Sequence, residues 1–259
     1  MECSAIVLEE GKEYLVESRL GPIAKAEGFD TIDRLVEALR INSNNGLQST
    51  VVEALTTNET SFFRDIHPFE TLKDVVLPEL LKNRNSTKEL NIWCGASSSG
   101  QEPYTVAMLI QENFPILLDW KMNFIASDIS EKMLDRCRSG LFSQLEVNRG
   151  LPASLLIKNF DRQGANWVIK KQFRDMIEFK YINLSRELPY LPKMDMVFMR
   201  NVLIYFDVEM KKKILKQVKS ILQPDGYLFL GGAETTLNLD ESYTRLGVKF
   251  SGCYRLIRG

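Results

Sequence analysis

Up to about residue 57, apolar side chains recur three and four positions apart, the spacing of one face of a helix. Tyr14, Leu15, Ser18 and Leu20 carry the first such pattern and run into Gly21-Pro22. A proline lacks the donor for the preceding turn and crowds it, so this helix is expected to end or kink there. In "TIDRLVEALR", Ile32, Leu35, Val36 and Leu39 share a face, and Thr31 stands where an N-cap belongs. "NSNNG" at 42–46 reads as a loop and "LQSTVVEALTTN" as a further helix. The pattern predicts a small all-helical N-terminal domain with its linker over 1–57.

Near residue 88 the period changes. "ELNIWCG" reads as a buried strand, "QEPYTVAMLIQENF" as a helix, and "KMNFIASDIS" as a second strand ending at Asp128. "EKMLDRCRSG" is a short helix stopped by Gly140, and "DMVFMRNVLIYF" is a third strand running into a loop or helix start. "DVEMKKKILKQVKSILQPDG" is a helix with a Pro-Asp-Gly stop, "YLFLGG" a fourth strand, and "VKFSGCYRLIRG" an edge strand or hairpin. Apolar strands alternating with helices predict an α/β fold with a parallel, doubly wound sheet over 58–259. Residues 166–182, "NWVIKKQFRDMIEFKYI", alternate like short antiparallel strands and break the rhythm. They predict a small inserted β-subdomain over 160–182.

Composition narrows the class without changing this outline. The chain has 259 residues, 44% hydrophobic and 26% charged, as in ordinary globular proteins. No apolar run reaches membrane-spanning length and no signal-peptide pattern is read, so a cytoplasmic protein without membrane insertion is expected. Cys3, Cys94, Cys137 and Cys253 form no CxxC pair, which argues against a disulfide framework or zinc site. His67 is the single histidine, so a metal centre or a histidine-based triad lacks its ordinary residues, and no metal is expected. A net charge of −1 gives a nucleic-acid partner no support. Residues 1–57 hold ten acidic and five basic side chains, which against the total of −1 leaves +4 for the rest. Two surfaces with different partners, or chance variation on solvated faces, both account for this.

Ligands of doubly wound sheets sit outside the carboxyl ends of the strands, so polar residues there are the candidates. After the first strand, Gly95 and Gly100 bracket Ser97, Ser98 and Ser99, and the next helix start offers free N–H groups. Such loops often hold phosphate, yet this one has no lysine and is followed by Glu102. A carboxylate there repels phosphate and attracts an ammonium or sulfonium; equally, Glu102 could be a first-turn acid favoured by the helix dipole alone. Asp128, ending the second strand, stands at the ribose-hydroxyl position of nucleoside-binding sheets, or else caps the helix after it. Asn183 in "YINLS" and Arg200, Asn201 and Tyr205 in "FMRNVLIYF" border apolar runs, where a ligand or the backbone can satisfy them.

Taken in order, "ALTTNETSFFRD", "ASSSGQEPYTVA", "ASDISEKMLDRCRSGLF", "INL" and "FMRNVLIYFD" resemble the chemotaxis receptor methyltransferases, the CheR family, over nearly the whole chain. The resemblance implies a helical N-terminal domain and a Rossmann-like methyltransferase domain with a small antiparallel insert. It implies S-adenosylmethionine (SAM) as cofactor, S-adenosylhomocysteine (SAH) as product, and methyl esterification of glutamates on the cytoplasmic domain of methyl-accepting chemoreceptors by a monomer. Carried over, Asn58, Thr60 and Arg64 would reach the cofactor from the inter-domain segment, with Ala96 in the loop. Glu102 would lie beside its methionine portion and Asp128 would take the ribose hydroxyls. Asn183 and Leu184 would flank the adenine. Arg200 and Asn201 would close the methionine end, and Tyr205 would stand close to the reacting methyl. Phe62 and Phe63 read as core. The chain also departs from the family pattern. It begins almost inside the usual first helical region, which suggests a trimmed N-terminus. The helix of "SRLGPIAKAEG" holds only Arg19 and Lys25 where the best-known members are strongly basic. "GGAETTLNL" stands where many members have Gly-His-Ser-Glu, and "DRQGANW" is a shortened form of the insert's glycine-bearing loop.

Esterifying a carboxylate needs no general base, because a glutamate of pKa about 4.3 is already ionised at neutral pH. The demands are alignment and exclusion of water, with Arg64 or Tyr205 as candidates to orient the acceptor. Two readings compete: a methyltransferase acting on another acceptor, and a SAM-binding scaffold or regulatory module.

Overall fold

The computed structural model describes residues 5, 13–41, 46–247 and 252–257. The loop expected at 42–45 lies outside the described residues, as does the stretch 248–251. Three helices open the chain: Glu13–Ala26, Ile32–Ile41 and Gly46–Leu55. The first runs through Gly21-Pro22 to Ala26, so of the expected end or kink the helix does not end there. A proline removes one hydrogen bond, and burial of Leu20 and Ala24 beside Leu35 and Val51 outweighs that loss. Thr31 does cap the second helix: its Oγ1 accepts from Arg34 N at 3.3 Å.

A linker leads into helices His67–Thr71 and Leu77–Asn83, joined by a π-wound turn over Leu72–Val76. The strands that follow are β1 (Glu89–Gly95), β2 (Lys121–Asp128), β3 (Leu141–Ser143), β4 (Phe160–Gln163), β5 (Asn166–Ile169), β6 (Ile177–Tyr181), β7 (Met194–Met199), β8 (Leu222–Leu230), β9 (Tyr243–Arg245) and β10 (Cys253–Leu256). The main sheet runs β6-β2-β1-β7-β8-β10-β9. Its pairs are parallel except where β10 lies antiparallel between β8 and β9. The C-terminal segment is therefore the inner arm of a hairpin with β9, and not the edge.

The central strands read as unbroken apolar runs because both faces are covered. Ile92, Cys94, Phe124, Met196 and Phe198 face one layer, with Leu77, Leu80 and Val106 from the helices on that side. Trp93, Ile125, Val197 and Met199 face the other, under Ile214, Leu215 and Val218 of helix Val208–Ile221. Phe198 and Phe229 stack in parallel at 4.4 Å across β7 and β8. The Pro-Asp-Gly stop appears as a break in register: Leu222 pairs with Met194, but Tyr227 already pairs with Met196.

One strand differs from the sequence expectation. Residues 177–181 were expected in the antiparallel insert, but they form β6, paired parallel to β2 at the sheet edge. Alternation reports that one face is exposed, and an edge strand has that property in either direction. The insert's sheet is β3-β5-β4, antiparallel, so it also draws in residues 141–143. Its Phe142 and Phe160 pack edge-on against Phe62 of the linker, at 5.0 and 5.8 Å. Strand order reverses on the two sides of β1, and the crevice beyond the carboxyl ends of β1 and β7 opens there.

Candidate active site

β1 ends at Gly95, and the chain then turns through Ala96 (φ 54°) and Ser98 (φ 49°) to Gly100 (φ 96°), where helix Gln101–Asn113 begins. Left-handed backbone costs a non-glycine residue about 1–3 kcal/mol and persists only where the surroundings enforce it. Here they do. Ser98 N donates to Asp128 Oδ2 at 2.8 Å, and Ser98 Oγ donates to the Asn58 carbonyl at 2.8 Å. A Cβ at Gly100 would come within 3.1 Å of Cys137 Sγ and 3.2 Å of the Tyr104 ring. The loop thus joins the end of β2 to the linker.

Asp128 is buried, and its other oxygen accepts from Ser130 N at 3.0 Å. The N-cap of helix Glu131–Ser139 is Ser130, whose Oγ accepts from Met133 N. Asp128 is therefore not the cap. It faces the crevice while accepting from backbone N–H groups on both oxygens, and a carboxylate's four lone-pair sites leave room for a further donor. Burial pushes its carboxyl above the usual range, against the pull of those N–H groups.

Glu102 stands in the first turn of its helix and Arg200 follows β7. Their side chains pair at 2.6 Å, with Arg200 only 1% exposed. Arg200 also pairs with Asp65 at 2.8 Å, donates to the Arg64 carbonyl at 2.9 Å, and lies over the Phe69 ring. Burial raises the Glu102 carboxyl, Arg200 offsets part of that, and the nearby Glu234 charge adds to it. Glu102 and Arg200, both expected at the methionine end, are thus brought together as an ion pair, so the charge of Glu102 is shared with that arginine. Asp65 was not anticipated; nothing in its local pattern marks it.

Beyond Arg200 the backbone turns left-handed at Asn201 (φ 57°) and makes one short helical turn at Leu203–Tyr205. Glu234, in the loop after β8, accepts there from successive backbone N–H groups. Its segment was noted in the sequence, but this role was not, since it depends on a loop more than thirty positions away. Asn183 closes a local turn by accepting from Ser185 N and Oγ. On the linker, Arg64 Nη1 donates to the Glu59 carbonyl at 2.9 Å, and Glu59 pairs with Arg149 of the insert.

All of the sequence-derived candidates line one cleft of about 970 Å³, open mouth included: Asn58, Thr60, Arg64, Ala96, Glu102, Asp128, Asn183, Leu184, Arg200, Asn201 and Tyr205. Ile129, Ile182, Val202 and Phe206 complete its apolar wall. His67 lies elsewhere, exposed and beside Glu70. Among the described residues no lysine lines the cleft; its cations are Arg64 and Arg200, the latter already paired, beside the carboxylates of Glu102 and Asp128 and a slot of aliphatic side chains. That donor set fits a nucleoside joined to a cationic amino acid, and fits a polyphosphate poorly.

A doubly wound sheet with its cleft at the switch point is the architecture of a Rossmann-like methyltransferase domain. The family model described as CheR methyltransferase, SAM binding domain, matches residues 58–250, and the chain belongs to that family. The chain is 42% identical to chemotaxis protein methyltransferase Cher2 of Pseudomonas putida over 242 residues, 92% of this chain and 88% of that one. It is 43% identical to chemotaxis protein methyltransferase 1 of Pseudomonas aeruginosa, with the same coverage. Against chemotaxis protein methyltransferase 1 of Vibrio cholerae it is 40% identical, over 92% of this chain and 86% of that one.

Proposed function

We propose that the protein methyl-esterifies glutamate side chains on the cytoplasmic domain of methyl-accepting chemoreceptors, as a cytoplasmic monomer. SAM supplies a methyl group on a sulfonium sulfur; that S–C bond breaks as the carboxylate O–C bond forms, leaving SAH. The names of the relatives support the chemotaxis role. The observation that carries the acceptor chemistry is Arg64. Among the described residues Arg64 makes no ion pair, while Arg200, the other cleft cation, is held by two carboxylates. Arg64 is therefore the guanidinium available to a substrate carboxylate at the mouth.

In this reading Asp128 accepts from the ribose hydroxyls, and Asn183 and Leu184 border the adenine. Asn58, Thr60 and Ala96 hold the cofactor's middle, while Glu102, Arg200 and Asn201 hold the amino-acid end. Glu102 meets the amino group, which cofactor and product share, so both bind. Tyr205 and Arg64 orient the acceptor oxygen toward the methyl carbon. No group has to remove a proton, because the acceptor is ionised. Alignment and dryness supply the rate.

The test is incubation with methyl-labelled SAM and chemoreceptor cytoplasmic fragments, followed by mild base. Base-labile label on the fragment is the expected result. Base-stable label would mean an amine acceptor. Tight SAM binding with no transfer would mean a binding scaffold.

A further inference from the structure

We propose that Glu234 is a positioning residue for the cofactor cleft: it holds the backbone of 201–204 in the one shape that presents Asn201 and Tyr205 to the ligand. Its Oε2 accepts from Asn201 N at 2.8 Å and Gly231 N at 2.6 Å. Its Oε1 accepts from Val202 N at 2.9 Å and Leu203 N at 2.7 Å, with Ile204 N further off at 3.4 Å. The segment between β7 and helix Val208–Ile221 has no ladder of its own, and buried backbone donors need acceptors. One side-chain anion supplies the acceptors for the donors at 201–204, while Tyr205 N and Phe206 N turn back to the Val202 and Leu203 carbonyls. Such a run of N–H groups is an anion nest of the kind that elsewhere captures phosphate. Here the chain fills it with its own carboxylate.

Three further facts tie the arrangement to the cleft. Asn201 is left-handed at φ 57°, a conformation that needs enforcement. Asn201, Val202 and Tyr205 all line the cleft, whereas Glu234 does not. Glycine at 231 is what lets the carboxylate come so near, since a Cβ there would lie 2.7 Å from Asn201 Nδ2 and 2.8 Å from Glu234 Oε2. A glutamine cannot substitute, because its amide nitrogen would point a donor at donors. Glu234 thus acts through the loop and not on the ligand, and the inference rests on reading this cleft as the methyl-transfer site.

The test compares the full chain with Glu234→Gln and Glu234→Asp in three measurements. Amide exchange of 201–204 without cofactor should quicken about tenfold in Glu234→Gln while β1 and β7 stay protected. The Kd for SAH by calorimetry should rise about three- to tenfold. Methyl transfer to a chemoreceptor fragment should lose about tenfold or more in kcat with KM for the fragment nearly unchanged. Glu234→Asp, which keeps the charge but falls one methylene short, should be intermediate throughout. Unchanged loop exchange would overturn the proposal, and so would a loosened loop with wild-type SAH affinity and kcat, which is all a merely structural role predicts. Should Glu234→Gln not fold, the aspartate variant is judged by the same criteria. Should the wild type transfer no methyl, the acceptor reading fails, and exchange together with SAH affinity still decides the role of Glu234.

Discussion

The N-terminal helices and the sheet hold themselves together on different scales. The helices close on four buried apolar side chains, Leu20, Ala24, Leu35 and Val51. The sheet has apolar layers on both faces, with several aromatic rings wholly enclosed. The helices compensate with directional contacts. Glu53 accepts from Ser130 Oγ and Lys132 N at the start of helix Glu131–Ser139, and Arg19 donates to the Leu55 and Thr56 carbonyls just before the linker. The cleft therefore has a floor fixed by buried area and one wall fixed by a few polar bonds.

The largest expected effect tests the split itself. Phe198→Ala removes one partner of the stacked pair between β7 and β8 and should cost about 3–5 kcal/mol, felt by every amide that exchanges through global unfolding. Leu35→Ala deletes the centre of the small helical core, and its exchange should quicken within 13–55 while the strands stay protected. Equal losses in both regions would show that the helices and sheet unfold as one unit.

Next in size, Arg64→Ala should nearly abolish methyl ester formation while changing stability by less than about 0.5 kcal/mol, since the residue sits on the linker at the cleft and not in a core. Arg64→Lys should recover part of the rate but not all, because a point charge cannot reproduce the planar fork. Wild-type rates in the alanine variant would reduce the linker to a tether.

The smallest effect concerns the floor. Asp128→Ala should weaken SAH binding by about 1–3 kcal/mol, as lost hydrogen bonds to a charged group do. Burial raises the Asp128 carboxyl in the free protein, and ligand hydroxyls donate best to its ionised form. Protons therefore compete with the ligand, and SAH affinity should fall on acidification, starting at a higher pH than for an ordinary carboxylate of pKa about 3.9. In Asp128→Asn the slope should flatten. A flat wild-type profile would remove Asp128 from the ligand's contacts.

What the sequence made legible follows the same division. Buried strands such as Glu89–Gly95 and Met194–Met199 announce themselves because enclosure on two faces demands continuous apolar residues. The residues around the cleft were reachable because the ends of those strands are fixed by the pattern, and the family resemblance singled out positions there. The direction of β6 was not legible, because alternation records exposure and carries no sign of parallel or antiparallel pairing. Pro22 did not end its helix because propensity is local and the packing of Leu20 and Ala24 is not. Asp65 was invisible for a related reason: it matters through Arg200, 135 positions distant, and a single chain shows no such coupling. Glu234 stood in "GGAETTLNL" at the Glu of the family pattern, but its role runs through Leu203, 31 positions away, and so went unassigned.

Between wall and floor runs the short linker, and its position has a mechanical meaning. Phe62 is gripped by two rings of the insert, Glu59 is tied to Arg149, and the Phe62 carbonyl presses on Gly150 so closely that a Cβ there would lie 2.1 Å from it. Its neighbours Thr60 and Arg64 line the cleft. A load applied to the insert would be transmitted to those two residues without crossing the sheet, much as a lever moves a latch through its pin.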